Sequence, residues 1–123
     1  MAKDLTIVPL FDLYGGMLTE KQRDVMDLYY NEDLSLSEIA EHEGITRQGV
    51  RDSIKRAEAV LLELEEKLHI LGLVQEITAL CAENAADCEQ LLSGDEKITG
   101  YHSVQRVRRM LQRQRDFLDQ NFS

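Results

Sequence analysis

Residues 35–56 read SLSEIAEHEGITRQGVRDSIKR, and this stretch decides the fold. Ser35, with a glutamate three residues later, is a capping-box pattern that begins a short helix. Gly44 suits the left-handed residue that ends such a helix, and Thr46 is a good N-cap for the next one. Ile45 is expected to plug the turn. Two helices joined by this Gly-Ile-Thr turn predict a helix-turn-helix.

Two further helices are predicted upstream of this motif. The first covers about residues 4–14, and Pro9 either starts or kinks it. A Gly-Gly pair at 15–16 ends it. Thr19, with a glutamine three residues later, is a second capping box that begins the next helix. Four helices therefore make up a head domain, residues 1–71.

The fourth helix is predicted to be unusually long, from Thr46 to about Gly72. A mean helix has only about 11–12 residues, so its second half must pack on something else. Its apolar residues recur every three to four positions: Val50, Ile54, Ala57, Leu61, Leu64, Leu68 and Leu71.

Residues 73–123 are predicted to form a C-terminal helical extension that packs on the long fourth helix. The first of its helices carries one set of apolar residues on overlapping faces: Leu73, Ile77, Leu80, Cys81, Cys88 and Leu91. After a turn at 93–95, a last helix runs from about Thr99 or Tyr101 to Leu118. Its residues expected to face inward are Val104, Val107, Met110, Leu111, Phe117 and Leu118. No strand pattern is present, so the fold class is all-α.

The polar residues of the fourth helix share a flank away from its apolar stripe. With Val50 set to zero on a helical wheel, Arg47, Arg51, Lys55 and Gln48 fall at about 60°, 100°, 140° and 160°. A helix inserted in the major groove needs such a flank, because Arg pairs with guanine, Gln pairs with adenine and Lys neutralises phosphate. The candidate nucleic-acid-binding residues are Thr46, Arg47, Gln48, Arg51, Lys55 and Arg56.

Individual roles follow from these residue types. Gln48 and Arg51 are expected to contact bases, and Thr46 a phosphate. Arg47 and Lys55 are expected to contact either a phosphate or a base. Arg56 falls at about 240° on the wheel, where a backbone contact or an intramolecular ion pair is expected.

The overall charge opposes strong nucleic-acid binding. The net charge is −9 and the sequence pI is near 4.7, whereas strong DNA binders are basic. Nine of the fourteen Lys and Arg residues nevertheless lie in two segments, 47–56 and 106–115. We expect weak, salt-sensitive or partner-assisted binding. The alternatives are a solvated charged face or a protein docking module, because the fold does not fix the function.

The last helix carries a secondary basic patch: Arg106, Arg108, Arg109, Arg113 and Arg115. These arginines spread around the helix, which favours ion pairs with the acids of the preceding helix (Glu76, Glu83, Asp87 and Glu89). The alternative is a second surface for phosphate or for an acidic partner.

No catalytic, metal or cofactor site is predicted. The three histidines are scattered, and no phosphate loop or nucleophile motif occurs. Cys81 and Cys88 are expected to be buried thiols in a reducing compartment. No apolar run approaches the roughly 18–20 residues of a membrane span, and no signal peptide precedes the first helix. The expected location is the cytoplasm.

Three segments resemble the YlxM-like family: LTEKQRDVMDLYY, DLSLSEIAEHEGITRQGVRDSIKR and AEAVLLELEEKL. The resemblance covers roughly Leu5 to Leu71. These small bacterial proteins are similar to region 4 of sigma factors and are encoded beside signal recognition particle genes. The family often has an aromatic residue in place of Arg51 and an alanine in place of Gly49.

The resemblance implies an all-helical regulatory protein with a recognition helix over residues 46–56 and no catalytic residue. It implies DNA, or the RNA or protein of the signal recognition particle, as partner. The rival hypothesis is an adaptor that docks on the particle or its GTPase without sequence-specific DNA binding. A homodimer through an exposed stripe at Leu61, Leu64, Leu68 and Leu71 is a further alternative.

Overall fold

The computed structural model describes residues 2–93 and 100–122, and all regular structure in these ranges is helical. The chain divides into two compact units, Met1–Leu71 and Gly72–Ser123. The all-α prediction is confirmed. The expectation that the C-terminal segment packs on the long fourth helix stays a prediction.

The first unit begins with helix α1 (Ile7–Tyr14), a 3-10 turn (Gly15–Met17) and helix α2 (Glu20–Tyr30). Helix α1 starts three residues later than predicted. Pro9 is its third residue, so it neither starts the helix nor removes a helical hydrogen bond, because a backbone N–H in the first turn has no helical partner to lose. The predicted capping box of α2 is present: Thr19 accepts from the backbone of Gln22, whose side chain accepts in return.

Helix α3 (Leu36–Glu43) and helix α4 (Arg47–Leu68) form the predicted helix-turn-helix. The Ser35 capping box is complete. Gly44 ends α3 with a φ of 67°, in the left-handed region that favours glycine. Ile45 is half-buried and packs against the core, as expected for a residue that plugs the turn.

Helix α4 is the central element of the first unit, and α1, α2 and α3 all pack on it. Its predicted stripe is confirmed for Val50, Ile54, Ala57 and Leu61, which are all fully buried. The same core receives side chains from the other three helices, including Ile7, Met26 and Ile39. Because one side of α4 is covered, its polar flank stays at the surface.

The predicted end of α4 near Gly72 is wrong. The helix ends at Leu68, and His69 adopts a left-handed conformation with a φ of 55°. Helix α5 (Ile70–Ser93) begins at the next residue and contains Gly72. The predicted self-association stripe is also not exposed as a whole. Leu61 is fully buried, Leu64 and Leu71 pack against the core, and only Leu68 is about half exposed.

The second unit consists of α5 from Gly72 onward and helix α6 (Gly100–Phe122). Arg113 on α6 lies 3.2 Å from Glu83 and 2.5 Å from Asp87 on α5. Asn121, further along α6, lies 3.5 Å from Glu76, nearer the start of α5. The two helices are therefore antiparallel. Gly94, Asp95 and Thr99, on which the predicted turn and helix start depend, lie outside the described residues.

Burial in the second unit differs from the prediction. Both Cys81 and Cys88 are exposed. On α6 only Met110 and Phe117 of the expected inward residues are half-buried. The others are at least two-fifths exposed: Val104, Val107, Leu111 and Leu118. A two-helix unit covers one stripe on each helix, whereas the apolar residues of α5 and α6 occupy wider arcs than one stripe.

Candidate nucleic-acid interface

The start of α4 is fixed by a local cap. Thr46 has an extended conformation, and its Oγ1 accepts a 2.9 Å hydrogen bond from the Gly49 backbone N–H. A Cβ at Gly49 would lie 3.1 Å from that oxygen. Glycine at this position therefore lets the cap close without crowding. The Thr46 hydroxyl keeps its own proton as a donor for a ligand oxygen.

Most of the predicted site residues of α4 are at the surface. Arg47, Gln48, Lys55 and Arg56 are exposed, and Arg51 is half-buried. None of them belongs to the core stripe. The polar flank predicted from the helical wheel is thus available to solvent.

Three of these residues converge. Arg47, Gln48 and Arg51 line one open depression on the surface of α4. Two arginines and a glutamine therefore line a single concavity within one turn and a half of the helix start. Together they offer planar, forked donors, the chemistry that recognises phosphate oxygens and the acceptor edge of guanine.

Gln48 also has an intramolecular partner that the sequence did not reveal. Its Nε2 donates a 2.9 Å hydrogen bond to Asp52 Oδ1, one turn further along α4. The bond holds the amide of Gln48 in one orientation on the helix surface. It also places a carboxylate next to the basic flank, which lowers the local positive potential.

Arg56 lies apart from the other candidates, on the opposite flank. It lines a second depression, of about 360 Å³, together with Lys21 and the capping residues Thr19 and Gln22 at the start of α2. Lys21 was missed by the sequence reasoning, because only tertiary packing brings the start of α2 beside α4. The one hint in the sequence is that Lys21 is a basic residue in the first turn of α2, the helix that precedes the helix-turn-helix.

Acidic residues outnumber basic ones in the first unit. Residues 1–71 contain eight Lys and Arg against fifteen Asp and Glu. Glu38, Glu41 and His42 are exposed on α3, the helix that precedes the turn. The polar flank of α4 and the start of α2 thus carry their basic residues on a unit in which acids predominate.

The secondary basic patch does not form one surface. Arg113 is engaged with Glu83, Asp87 and the amide of Asn84 on α5. Arg106 is half-buried on the same side of α6. Arg108, Arg109 and Arg115 are exposed. The ion pairs expected with α5 are thus present for Arg113.

Neither a candidate metal cluster nor a helix that could span a membrane occurs in the described ranges, 2–93 and 100–122. No group of three or more His, Cys, Asp or Glu side chains is arranged to hold a metal ion in these ranges. No helix within them is both long and apolar enough to cross a membrane.

Fold and site together define a small helix-turn-helix protein. The chain belongs to the UPF0122 family: the family model described as "Putative helix-turn-helix protein, YlxM / p13 like" matches residues 1–99. The resemblance to the YlxM-like family is thereby confirmed.

Relatives from two bacterial genera show the same relationship. The UPF0122 protein of Clostridium kluyveri is 52% identical over 71 residues, which cover 58% of this chain and 64% of that protein. UPF0122 proteins of Bacillus cereus strain AH187 and Bacillus anthracis strain A0248 are each 51% identical over 89 residues, covering 72% of this chain and 77% of theirs. This chain thus spans slightly less than two thirds of the length of the Clostridium relative.

Proposed function

We propose that this protein binds nucleic acid through the first turns of α4, with double-stranded DNA as the main ligand. The observation that carries this proposal is the convergence of Arg47, Gln48 and Arg51 on one depression of an exposed helix flank. The opposite side of the same helix is fully buried, so α1, α2 and α3 hold the flank rigidly. A helix presented in this way fits the major groove.

Each side chain has a role in this proposal. Arg51 and Gln48 contact base edges, and the bond from Gln48 to Asp52 orients the amide for that contact. Arg47 and Lys55 contact bases or phosphates on either side. The Thr46 hydroxyl donates to a phosphate. Arg56, beside Lys21, is proposed to contact the sugar-phosphate backbone rather than the bases.

The acidic surface limits the affinity that we propose. Only a few cations touch phosphate and the excess of carboxylates repels it, so the affinity is low, and each phosphate contact adds to its fall as salt rises. The protein is proposed to act as a cytoplasmic regulatory factor similar to region 4 of sigma factors, in connection with the signal recognition particle pathway. No catalytic step belongs to this proposal.

A second candidate function is an adaptor that docks on the RNA or GTPase of the signal recognition particle. The observation that favours it is the excess of carboxylates in residues 1–71. Such a surface favours the protein arm of this candidate, because carboxylates repel RNA as they repel a DNA duplex and suit a basic protein partner.

Recovery of bound nucleic acid tests these two functions. The full-length chain is incubated at low salt with fragmented bacterial genomic DNA and total RNA, and the bound species are sequenced. The proposal expects enriched duplex DNA with the wild type and loss of enrichment with Arg47→Glu/Arg51→Glu. Lys67→Glu is the matched control, because Lys67 is an exposed cation on the same helix that pairs with Glu63 instead. Enrichment of RNA alone, or of neither, would contradict DNA binding.

A further inference from the structure

The α5–α6 unit has an exposed apolar face that its own two helices do not cover. On α5, the face consists of Val74, Ile77, Cys81, Cys88 and Leu92, all of them exposed. With Val74 at zero on a helical wheel, these residues fall between about 300° and 0°. The half-buried residues of α5, such as Leu80 and Leu91, fall at about 240° and 260°. The exposed stripe therefore lies next to the covered one.

Helix α6 repeats the same arrangement. Its exposed apolar residues are Val104, Val107, Leu111, Leu118 and Phe122. With Val104 at zero, they also fall between about 300° and 0°, whereas the residues turned towards α5 fall between about 180° and 240°. On both helices the exposed stripe is thus rotated in the same sense from the covered stripe.

The antiparallel arrangement brings the two stripes together. On each helix the exposed stripe is rotated from the covered stripe in the same sense about the chain direction. Because the two helices run in opposite directions, both exposed stripes lie on the same side of the pair. The stripes therefore form one continuous face, about 27 Å long for 18 residues of rise and about 20 Å wide for two adjacent helices. Its projected area, about 500 Å², approaches the roughly 800 Å² of accessible surface that each partner buries in a standard interface.

We propose that a second copy of this chain covers this face, so that the two α5–α6 units form an antiparallel four-helix bundle. A two-fold axis parallel to the helices would set α5 of each copy on α6 of the other. This axis keeps every residue at its own level along the bundle. The contact is self-complementary, as a two-fold interface requires.

Charge complementarity selects this axis. The pairing of Arg113 with Glu83 and Asp87 places Glu89 at about the level of Arg108 along the bundle. On their wheels, Glu89 and Arg108 lie at about 60° and 40°, along the outer edge of each apolar stripe. Glu89 of one copy would thus meet Arg108 of the other. An axis across the helices would instead place α6 on α6 and bring Arg108 and Arg115 of both copies together.

Cys81 and Cys88 serve as internal reporters of this assembly. Both thiols are exposed in the single chain and lie within the apolar face. Dimerisation would cover them. Their reaction with a thiol reagent should therefore slow as protein concentration rises, in parallel with the appearance of dimer in sedimentation equilibrium.

Sedimentation equilibrium of the full-length chain without nucleic acid tests the proposal. The wild type should show a monomer–dimer equilibrium, and Leu111→Glu should raise the dimer dissociation constant at least about tenfold, because it would bury an unpaired charge. Leu62→Glu is the matched control, since Leu62 on α4 is similarly exposed, and it should change nothing. Circular dichroism verifies that each variant keeps its helix content.

Exchange of the charges tests the orientation of the two copies. Arg108→Glu alone should weaken the dimer several-fold, and adding Glu89→Arg should restore it. A monomer at all concentrations, with thiols either reactive or protected, would overturn the proposal. A dimer that Leu111→Glu leaves intact would also overturn the proposal. The same holds if adding Glu89→Arg fails to restore the dimer that Arg108→Glu weakens. None of these outcomes bears on nucleic-acid binding by α4.

Discussion

The Tyr14 hydroxyl donates a 2.6 Å hydrogen bond to Glu65 Oε1 and thereby joins the end of α1 to the last turn of α4. The same hydroxyl oxygen accepts from the Ile70 backbone N–H at 3.2 Å, and Glu65 Oε1 accepts from that of Leu71 at 2.9 Å. Amides in the first turn of a helix have no helical acceptor. Tyr14 and Glu65 therefore cap the start of α5.

This cap predicts the effect of Tyr14→Phe. The variant should lose the acceptor of the Ile70 amide, whose hydrogen exchange should accelerate by about fivefold or more, on the scale of one net hydrogen bond. The Leu71 amide should stay protected because Glu65 remains. Amide exchange followed by NMR measures both. Tyr30→Phe is the control, since it removes a phenol bonded to Glu58 at 2.7 Å, and it should leave Ile70 unchanged. Equal acceleration in the two variants would refute the cap.

The same two tyrosines predict how stability depends on alkaline pH. Burial and the hydrogen bond to a glutamate raise the pKa of Tyr14 and of Tyr30 above the ordinary value of 10.0. A folded-state pKa above the unfolded one means that the stabilisation is complete below about pH 10 and is lost as pH rises beyond it. Urea unfolding of the wild type should therefore show a free energy of unfolding that falls as pH rises above about 10. Tyr14→Phe/Tyr30→Phe should show a smaller fall, and an equal fall would contradict this origin.

The starts of α2, α3 and α4 were predictable from sequence because their causes are local. The capping boxes at Thr19 and Ser35 join residues three positions apart, and the core stripe from Val50 to Leu61 follows the helical period. The end of α4 was not predictable, because Tyr14 is 51 residues away from Glu65 in the chain. No glycine marks the end of α4. His69 takes the left-handed conformation there, next to the amides that Tyr14 and Glu65 bind.

The candidate site was predictable to a similar extent. The wheel groups Arg47, Gln48 and Arg51, because one helix fixes their relative positions. It could not group Lys21 with Arg56, which only the packing of α2 beside α4 brings together. The exposure of Cys81 was also beyond the sequence, since periodicity shows that a face is apolar but not whether another element covers it.

Gly44 predicts a backbone effect at the turn. Its φ of 67° is unfavourable for any residue with a Cβ, although nothing lies within 4 Å of the added atom. Gly44→Ala should therefore lower the free energy of unfolding by about 1–2 kcal/mol through strain alone. Gly16→Ala is the matched control, because that site is equally open and its φ is not positive. Chemical denaturation compares them, and equal stabilities would contradict the strain.

Ile54 predicts a packing effect at the centre of the first unit. It is fully buried on the core side of α4, so Ile54→Ala should cost about 2–5 kcal/mol through lost burial and a residual cavity. Lys55→Ala, at the next and exposed position, should change the free energy of unfolding by no more than about 0.5 kcal/mol. Denaturant unfolding measures both changes. Similar values for the two would show that α4 is not the centre of this core.

The central claim is that the polar flank of α4 is a nucleic-acid surface, and the salt dependence of duplex DNA binding tests it most directly. Fluorescence anisotropy with a labelled duplex gives the slope of the logarithm of affinity against the logarithm of salt concentration, which counts the phosphates neutralised. Lys55→Gln should lower that slope by about 1 if Lys55 contacts a phosphate. Arg47→Glu/Arg51→Glu should abolish measurable binding at low salt, and Lys67→Glu should leave affinity and slope unchanged. Identical binding by the wild type and the Arg47→Glu/Arg51→Glu variant would contradict the account.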